Sequence, residues 1–382
     1  MDQTLQIQLL RRCLMHQAAK TTQLESECSH SPLSRYTDKA RFQQEVDQLF
    51  CAMPMAVTHS SQLPDDGFVT LDIFNNPLLI SRDSEGQVHA FFNVCRHRGS
   101  ILESVKKGCK HRFRCPYHGW TYSNKGELIA VPHQAIGFPE LDRSERGLIS
   151  IPCEERFGFV WLQLNDEPIN IVAWLGDLER DMQWMACDKL RVFNSYDKVW
   201  NTNWKLFMEG GVESYHFRET HSKTIAPYFP DNLSVYDRIG NHFRSVLPKR
   251  NLGDLEKQTE SEWDIRQVSN ILYSLLPNMS LLVQPDHIAW ISAMPLDVDK
   301  THISIHSLVP QEPTEFDDKH WQRNFDIEVT ALVEDFEMAE GIQKGLATRA
   351  NETFLFGRFE SALEEFHKVI DEIIMPGSSG VG

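Results

Sequence analysis

Two short stretches of this 382-residue chain gather side chains that can do chemistry. In "NVCRHRGS" Cys95 and His97 are separated by one residue, and in "RFRCPYHGW" Cys115 and His118 by two, with seventeen residues between the pairs. Thiolates and imidazoles in such spacing bind metal, and a single structural zinc ion is the plain expectation for two cysteines and two histidines. Two features argue for another metal. Each pair is a cysteine followed by a histidine, so the cysteines can face one iron of a [2Fe–2S] cluster and the histidines the other. Each pair also sits beside Gly or Pro, which lets the backbone approach the cluster and aim N–H groups at its sulfurs. No helical period follows His118, where a zinc finger more often has one.

A second constellation lies in "NWKLFMEGGVESYHFRETH". Glu213 and His216 are three apart and share a face if the segment is helical. His216 and His221 are five apart, about 140° round a regular helix, so they grip one ion only if the helix breaks or ends between them. A histidine pair of this kind, taken alone, is more often solvated or satisfied within a core. Trp200, Trp204, Phe207 and Tyr215 cluster around the segment. Core packing is the simpler reading of them, and a cage for a quaternary ammonium ion the sharper one. "THISIH" puts His302, Ser304 and His306 on one strand face, which a hydrogen-bonded or solvated sheet explains equally well. His111 and His133 flank the first cluster without ligand spacing.

The elements that must carry these residues follow from texture. Residues 1–45 are polar and helix-prone and read as an N-terminal helical arm. Over 46–165, "GFVTLDIF", "NPLLISRD", "QVHAFFNV", "GELIAVP" and "GFVWLQL" are short apolar or alternating runs split by "DSEGQ" and "SNKGE", which predicts a small β domain. From 166 to 382 helical periods ("IVAWLGDLERDMQWM", "WKLFMEGGVESYHF", "FDIEVTALVEDFEMAEGIQKGL", "GRFESALEEFHKVIDEII") surround a hairpin-like pair, "SLLVQPDHIAWISAMPL" and "THISIHSLVP", so this part is α+β. No internal repeat is evident, and the terminal "GSSGVG" reads as a frayed tail. A hydrophobic fraction of 41% with 24% charged residues is globular composition. The net charge of −16 opposes binding to nucleic acid. No run is long enough to span a membrane, and the N-terminus lacks the pattern of a signal peptide. Cys13, Cys28, Cys51, Cys109, Cys153 and Cys187 read as free thiols in a reducing compartment, the cytoplasm by default.

The spacing of "CRHRG" and "CPYHGW" resembles the Rieske motif of ring-hydroxylating-type oxygenases. Respiratory Rieske proteins carry a further cysteine in each loop; Ser100 and Tyr117 stand in those places here, which resembles the oxygenase and ferredoxin type. "NWK…E-x-Y-H-x-x-x-x-H", at Asn203–Lys205, Glu213, Tyr215, His216 and His221, resembles the catalytic domain of the same family. "VEDFEMAEGIQKGL" resembles its "ED…E-x-V-Q-x-G-L" helix. The resemblance implies a Rieske [2Fe–2S] domain joined to a helix-grip (START/SRPBCC-like) catalytic domain with an antiparallel sheet. It implies a cluster held by Cys95, His97, Cys115 and His118, and a mononuclear non-haem Fe(II) held by His216, His221 and Asp335, two imidazoles and a carboxylate leaving open positions. Glu334, Glu337 and Glu340, beside Asp335, are expected to be a solvated acidic face. Glu213 would bridge the centres, bonding His216 and, in a neighbouring subunit, the cluster histidine at the place of His118. Most aromatic dioxygenases carry Asp there; Glu213, and "GRFESALEEFH", are closer to the choline and carnitine monooxygenase branch.

The function implied is the terminal oxygenase component of a multicomponent system that hydroxylates, dihydroxylates or demethylates an aromatic compound or a quaternary amine. The chain has no dinucleotide-binding fingerprint, so electrons from NAD(P)H would arrive through a separate flavin or iron–sulfur reductase, with or without a ferredoxin. A homotrimer is implied, with no nucleic-acid or membrane partner. An electron-transfer protein with the cluster alone is the alternative, disfavoured by the second constellation; a zinc-stapled binding module is a third reading. Where the family often has Asn after the acid at 209, this chain has Gly210 and then Gly211, a costly pair in a helix that marks a bend or room for substrate.

Overall fold

The structure, a computed structural model, describes residues 1–375; the "GSSGVG" tail lies outside them. The chain folds as two compact units, one of Pro54–Ile171 and the other of Met1–Met53 with the chain from Val172 onward.

The Pro54–Ile171 unit is built of short antiparallel strands. Val88–Phe92, Asn76–Arg82, Gly67–Ile73 and Lys107–Cys109 form one sheet in that order, and Cys153–Arg156, Phe159–Leu162 and Met55–His59 form a second. A third, of Arg112–Arg114, Thr121–Ser123 and Leu128–Ala130, carries one of the two cysteine loops on its edge. The alternating apolar runs turn one face inward, and Phe68, Leu79, Phe91, Phe113, Trp120 and Tyr122 make a single core. Cys95 and Cys115 belong to that core, so the sheets hold both thiols from behind.

In the other unit seven antiparallel strands run in the spatial order Leu190–Trp200, Lys300–Pro310, Ile288–Asp297, Met279–Val283, Ser269–Leu275, His242–Pro248 and Val235–Ile239. One helix of 31 residues, Asp318–Thr348, starts where the Asp317 carboxylate accepts the His320 N–H, a side-chain cap on an otherwise unpaired donor. Cα–Cβ bonds at three- and four-residue intervals share a face, and Trp321, Phe325, Glu328, Ala331, Phe336 and Ala339 are buried along it.

The helical period over "WKLFMEGGVESYHF" does not run through. The helix covers Trp204–Gly210, capped by the Asn203 side chain, and stops at Gly211. A Cβ on Gly211 would stand 2.8 Å from Leu272 Cδ2, so any larger residue would have to displace that side chain. One turn of helix, Phe217–Thr220, then follows.

Residues 1–45, read from composition as an arm, belong to this unit. Ser29–Pro32 pairs with Thr353–Phe356. The Tyr36 hydroxyl donates to Glu209 at 2.8 Å, and His367 Nε2 lies 2.8 Å from both. Burial pushes the Glu209 carboxyl up to about 8 and holds the His367 ring down, so this joint carries few charges. Beside it the buried Lys205 ammonium meets Glu45 at 2.6 Å.

Candidate metal centres

The two cysteine loops are geometric twins. Gly99 N–H donates to the Cys95 carbonyl and Gly119 N–H to the Cys115 carbonyl, each at 3.0 Å; Cys95 N–H donates to Ser100 O and Cys115 N–H to Trp120 O, each at 2.8 Å. Gly99 and Gly119 take φ of +76° and +74°, a left-handed conformation that a side chain would strain. The turns leave the cysteines buried in the core, His97 half-buried and His118 exposed. The Nδ1 atoms of His97 and His118 approach to 3.1 Å, and the His97 ring stacks on Trp120 with centroids 4.8 Å apart. Tyr122 O–H lies 3.5 Å from Cys95 Sγ, and burial raises its pKa, which keeps the proton available to a sulfur.

Among the described residues only His216, His221 and Asp335 bring three such ligand atoms within 4.8 Å of one another; no three of the Cys/His quartet do. One zinc ion needs all four donors around a single point. A sulfur pair on the core side and an imidazole pair on the solvent side fit two irons, as in a [2Fe–2S] cluster with mixed ligation.

His216 and His221 bracket the one-turn helix Phe217–Thr220, the first as its N-cap and the second as its C-cap. The turn and its ends replace the regular helix that would have set the rings about 140° apart, and the ring centroids are 5.1 Å apart. Both Nε2 atoms point at Asp335 Oδ1 on the long helix, His221 at 2.9 Å and His216 at 3.5 Å. Each Nδ1 faces another carboxylate: His221 meets Glu334 at 2.8 Å, and His216 meets Glu213. A ring that donates from Nδ1 to a carboxylate keeps the Nε2 lone pair free for a metal. Burial opposes charge on both rings, yet the Glu213, Asp335 and Glu334 carboxylates outweigh it and raise both pKa values. His216 Nε2 is buried with no hydrogen-bond partner among the described residues. Two imidazoles and one carboxylate, directed at one point with one donor otherwise unsatisfied, fit a mononuclear non-haem iron.

Two expectations change, and of the two readings of the aromatic residues core packing holds and the cage does not. Glu213 and His216 pair through a tight turn, in which Glu213 also accepts the Tyr215 and His216 N–H groups, and not through a helix face. Glu334 is no solvated neighbour: it takes His221 Nδ1–H and the Thr224 hydroxyl, the latter at 2.7 Å. Glu340 likewise accepts from the Asn201 N–H and amide at 2.8 and 2.9 Å. The aromatic cluster disperses: Trp200 packs on Phe336, Trp204 on Phe50 and Phe366, and Tyr215 on Phe359 at the surface. Only Phe207 of the four lines the cleft, so they form no cage.

The three ligands line a concave, mostly apolar cleft with a cavity volume of about 160 Å³, the character of a small-molecule site. Its walls are Phe207, Phe217, Phe229, Leu247, Leu282 and Ile291. Gly210 lines it, and a Cβ there would meet nothing within 4 Å.

The fold and both centres define a two-centre iron protein of the Rieske type. Residues 53–141 match the model of the Rieske [2Fe-2S] domain, and residues 187–375 that of the ring hydroxylating alpha subunit (catalytic domain). The chain belongs to the Rieske-type non-haem iron oxygenase family, as an alpha-type chain. It is 33% identical over 195 residues to the glycine betaine monooxygenase oxygenase subunit of Pseudomonas aeruginosa, covering 51% of this chain and 45% of that one. It is 29% identical over 363 residues to the chloroplastic choline monooxygenase of Spinacia oleracea, covering 90% and 78%. The matched stretch spans about half the length of most of these curated relatives. The fold is shared with the quaternary ammonium Rieske monooxygenase CntA bound to L-carnitine (22% identical, 91% of this chain and 96% of that, TM-score 0.76). It is also shared with naphthalene 1,2-dioxygenase from Rhodococcus sp. (19% identical, 97% and 98%, TM-score 0.77). Among the described residues no helix is long and apolar enough to cross a membrane.

Proposed function

We propose that this chain is the terminal oxygenase component of a multicomponent system that oxidises a small organic substrate, an aromatic compound or an amine, with dioxygen. The observation that carries this reading is the convergence of His216, His221 and Asp335 on one point at the edge of an apolar cleft. When bound, a cluster at Cys95, His97, Cys115 and His118 and an iron at His216, His221 and Asp335 supply electron storage and dioxygen activation. The residues do the rest. Glu213 and Glu334 fix the tautomer and aim of the two imidazoles. The apolar walls exclude water from the reacting atoms and orient the substrate. Glu213 also serves as the bridge toward the cluster histidine of a neighbouring copy, at the place of His118, in a homotrimer. A separate reductase fed by NAD(P)H supplies the electrons.

Metal analysis and a single turnover test this reading. The purified protein should hold the cluster's iron and sulfide plus one further iron per chain. The reduced protein should place labelled oxygen from dioxygen into product. A colourless zinc protein, or cluster iron alone, would refute it.

A further inference from the structure

One group in the cleft has no part in holding iron. Glu328 lies on the long helix, lines the cleft and is 6% exposed; neither carboxylate oxygen has a hydrogen-bond partner among the described residues. A buried carboxylate without a partner is costly to keep. Asn270 Oδ1, also in the cleft wall, is a second buried acceptor with no partner. The nearby polar side chains turn elsewhere: the amide nitrogen of Asn324 meets His320, that of Gln284 meets His287, and Ser280 Oγ–H points at Met208 Sδ. Among the described residues lining the cleft there is no lysine or arginine. The cleft therefore holds a buried carboxyl group without a protein partner and has no fixed positive charge.

We propose that Glu328 binds the ammonium group of a protonated primary or secondary amine substrate, whose N–H bonds satisfy the carboxylate while its apolar body lies along the cleft toward His216, His221 and Asp335. Burial pushes the Glu328 carboxyl up to about 8; a cation beside it favours the carboxylate and displaces the proton. A quaternary ammonium has the charge but no N–H to give. An anionic substrate finds no counter-charge and meets a carboxylate.

Position also sets where the substrate reacts. Glu328 and Asp335 are seven residues apart on one helix, which is nearly two full turns, so they share a face about 10 Å apart along the axis. Ala331 and Leu332 line the cleft between them. With the ammonium held at Glu328, the oxidised carbon lies on the apolar body of the substrate. The placement of the reacting carbon rests on the oxygenase reading; the binding of the amine does not.

Calorimetric titration of the purified, iron-loaded protein separates the two. Four probes share one body: 2-phenylethylamine, its trimethylammonium analogue, 2-phenylethanol and 3-phenylpropanoate. The amine should bind best, and Glu328→Gln should weaken it roughly 10- to 100-fold, the range for a hydrogen bond to a charged group. Glu328→Leu should abolish that preference and favour the alcohol, with retention of the mononuclear iron reporting an intact catalytic unit in both variants. Equal binding of the amine by wild type and Glu328→Gln, tighter binding of the alcohol or the propanoate to wild type, or equal binding of the trimethylammonium analogue would each overturn the proposal. Amine binding without oxygen incorporation would leave the Glu328 assignment standing and count against the oxygenase reading alone.

Discussion

Glu334 accepts a hydrogen bond from Nδ1 of His221 at 2.8 Å, while its neighbour Asp335 meets Nε2 of the same ring at 2.9 Å. Consecutive residues of one helix thus hold opposite edges of a single imidazole. The arrangement fixes the tautomer, because the edge that donates to Glu334 cannot be the edge that offers a lone pair. Glu334 is itself held by the Thr224 hydroxyl, so the ring cannot rotate without breaking two contacts.

Removing this support should therefore weaken iron binding without touching the cluster. Glu334→Ala is expected to lower affinity for Fe(II) roughly 10- to 100-fold, as loss of a ligand-orienting partner does. Chelator competition measures it, with cluster absorbance as the internal reference. An unchanged affinity would mean that His221 is held in place by packing alone.

Glu213→Gln separates metal binding from communication between centres. Gln keeps an acceptor for the Tyr215 and His216 N–H groups but has no charge with which to tune the imidazole. The variant should retain iron and cluster and show severely slowed turnover coupled to the substrate. Coupled turnover at the wild-type rate would remove Glu213 from the bridging role.

The two candidate centres should be separable by mutation because they are built in different compact units. Asp335→Ala should lose the mononuclear iron and keep the cluster spectrum, whereas Cys115→Ser should lose the visible bands. Metal content with absorption spectra reads both. Parallel loss of both irons in Asp335→Ala would contradict independent sites.

The two adjacent glycines should respond in opposite ways to alanine. At Gly211 the added carbon would stand 2.8 Å from a methyl of the buried Leu272; overpacking of this kind costs about 1–3 kcal/mol. At Gly210, within the helix and facing open space, alanine should be neutral or stabilise by up to about 1 kcal/mol. Thermal unfolding of both variants checks the pair, and a similar fall in Tm for both would show that the close approach to the sheet is not what requires glycine.

Glu328 gives stability a pH dependence. Its carboxyl is raised from 4.5 to about 8 by burial, so the folded state holds a proton that the unfolded chain has lost. Its contribution is complete below the unfolded pKa and falls as pH rises through the window from 4.5 to about 8. Relative to Glu328→Gln, wild type should lose at most about 1.4 kcal/mol per pH unit in that window. Tm measured for both from pH 5 to about 8.5 tests the sign; parallel curves would show that the group does not titrate abnormally.

Much of this was legible in the residues. Metal-ligand spacing showed the Cys/His loops at once because four reactive side chains fall within one short segment. The strand runs from Gly67 to Leu162 were visible for a similar reason, since period-two alternation is local. The pairing of His216 with His221 was conditional on a break in the helix. That break lies at Gly211, where the helix ends against Leu272, a neighbour distant in sequence. Glu334 was misread because periodicity assigns a residue to a face of a helix but cannot say which ring arrives at that face. Glu328 went unnoticed although a signal existed: it is an acid seven residues before Asp335, on the same stripe of an otherwise apolar run. The likeness of the two loops escaped too, because Cys-x-His-x-Gly and Cys-x-x-His-Gly share a backbone shape and not a residue order.

The buried meeting of Tyr36, Glu209 and His367 draws together the early chain, the segment leading to the iron histidines and the last helix. Glu209 is followed directly by Gly210 in the cleft wall. A disturbance at either remote stretch thus has a mechanical path to the substrate chamber. In engineering terms the three residues are a shared hinge pin, so redesign of the early segment or of the last helix is also redesign of the active cleft.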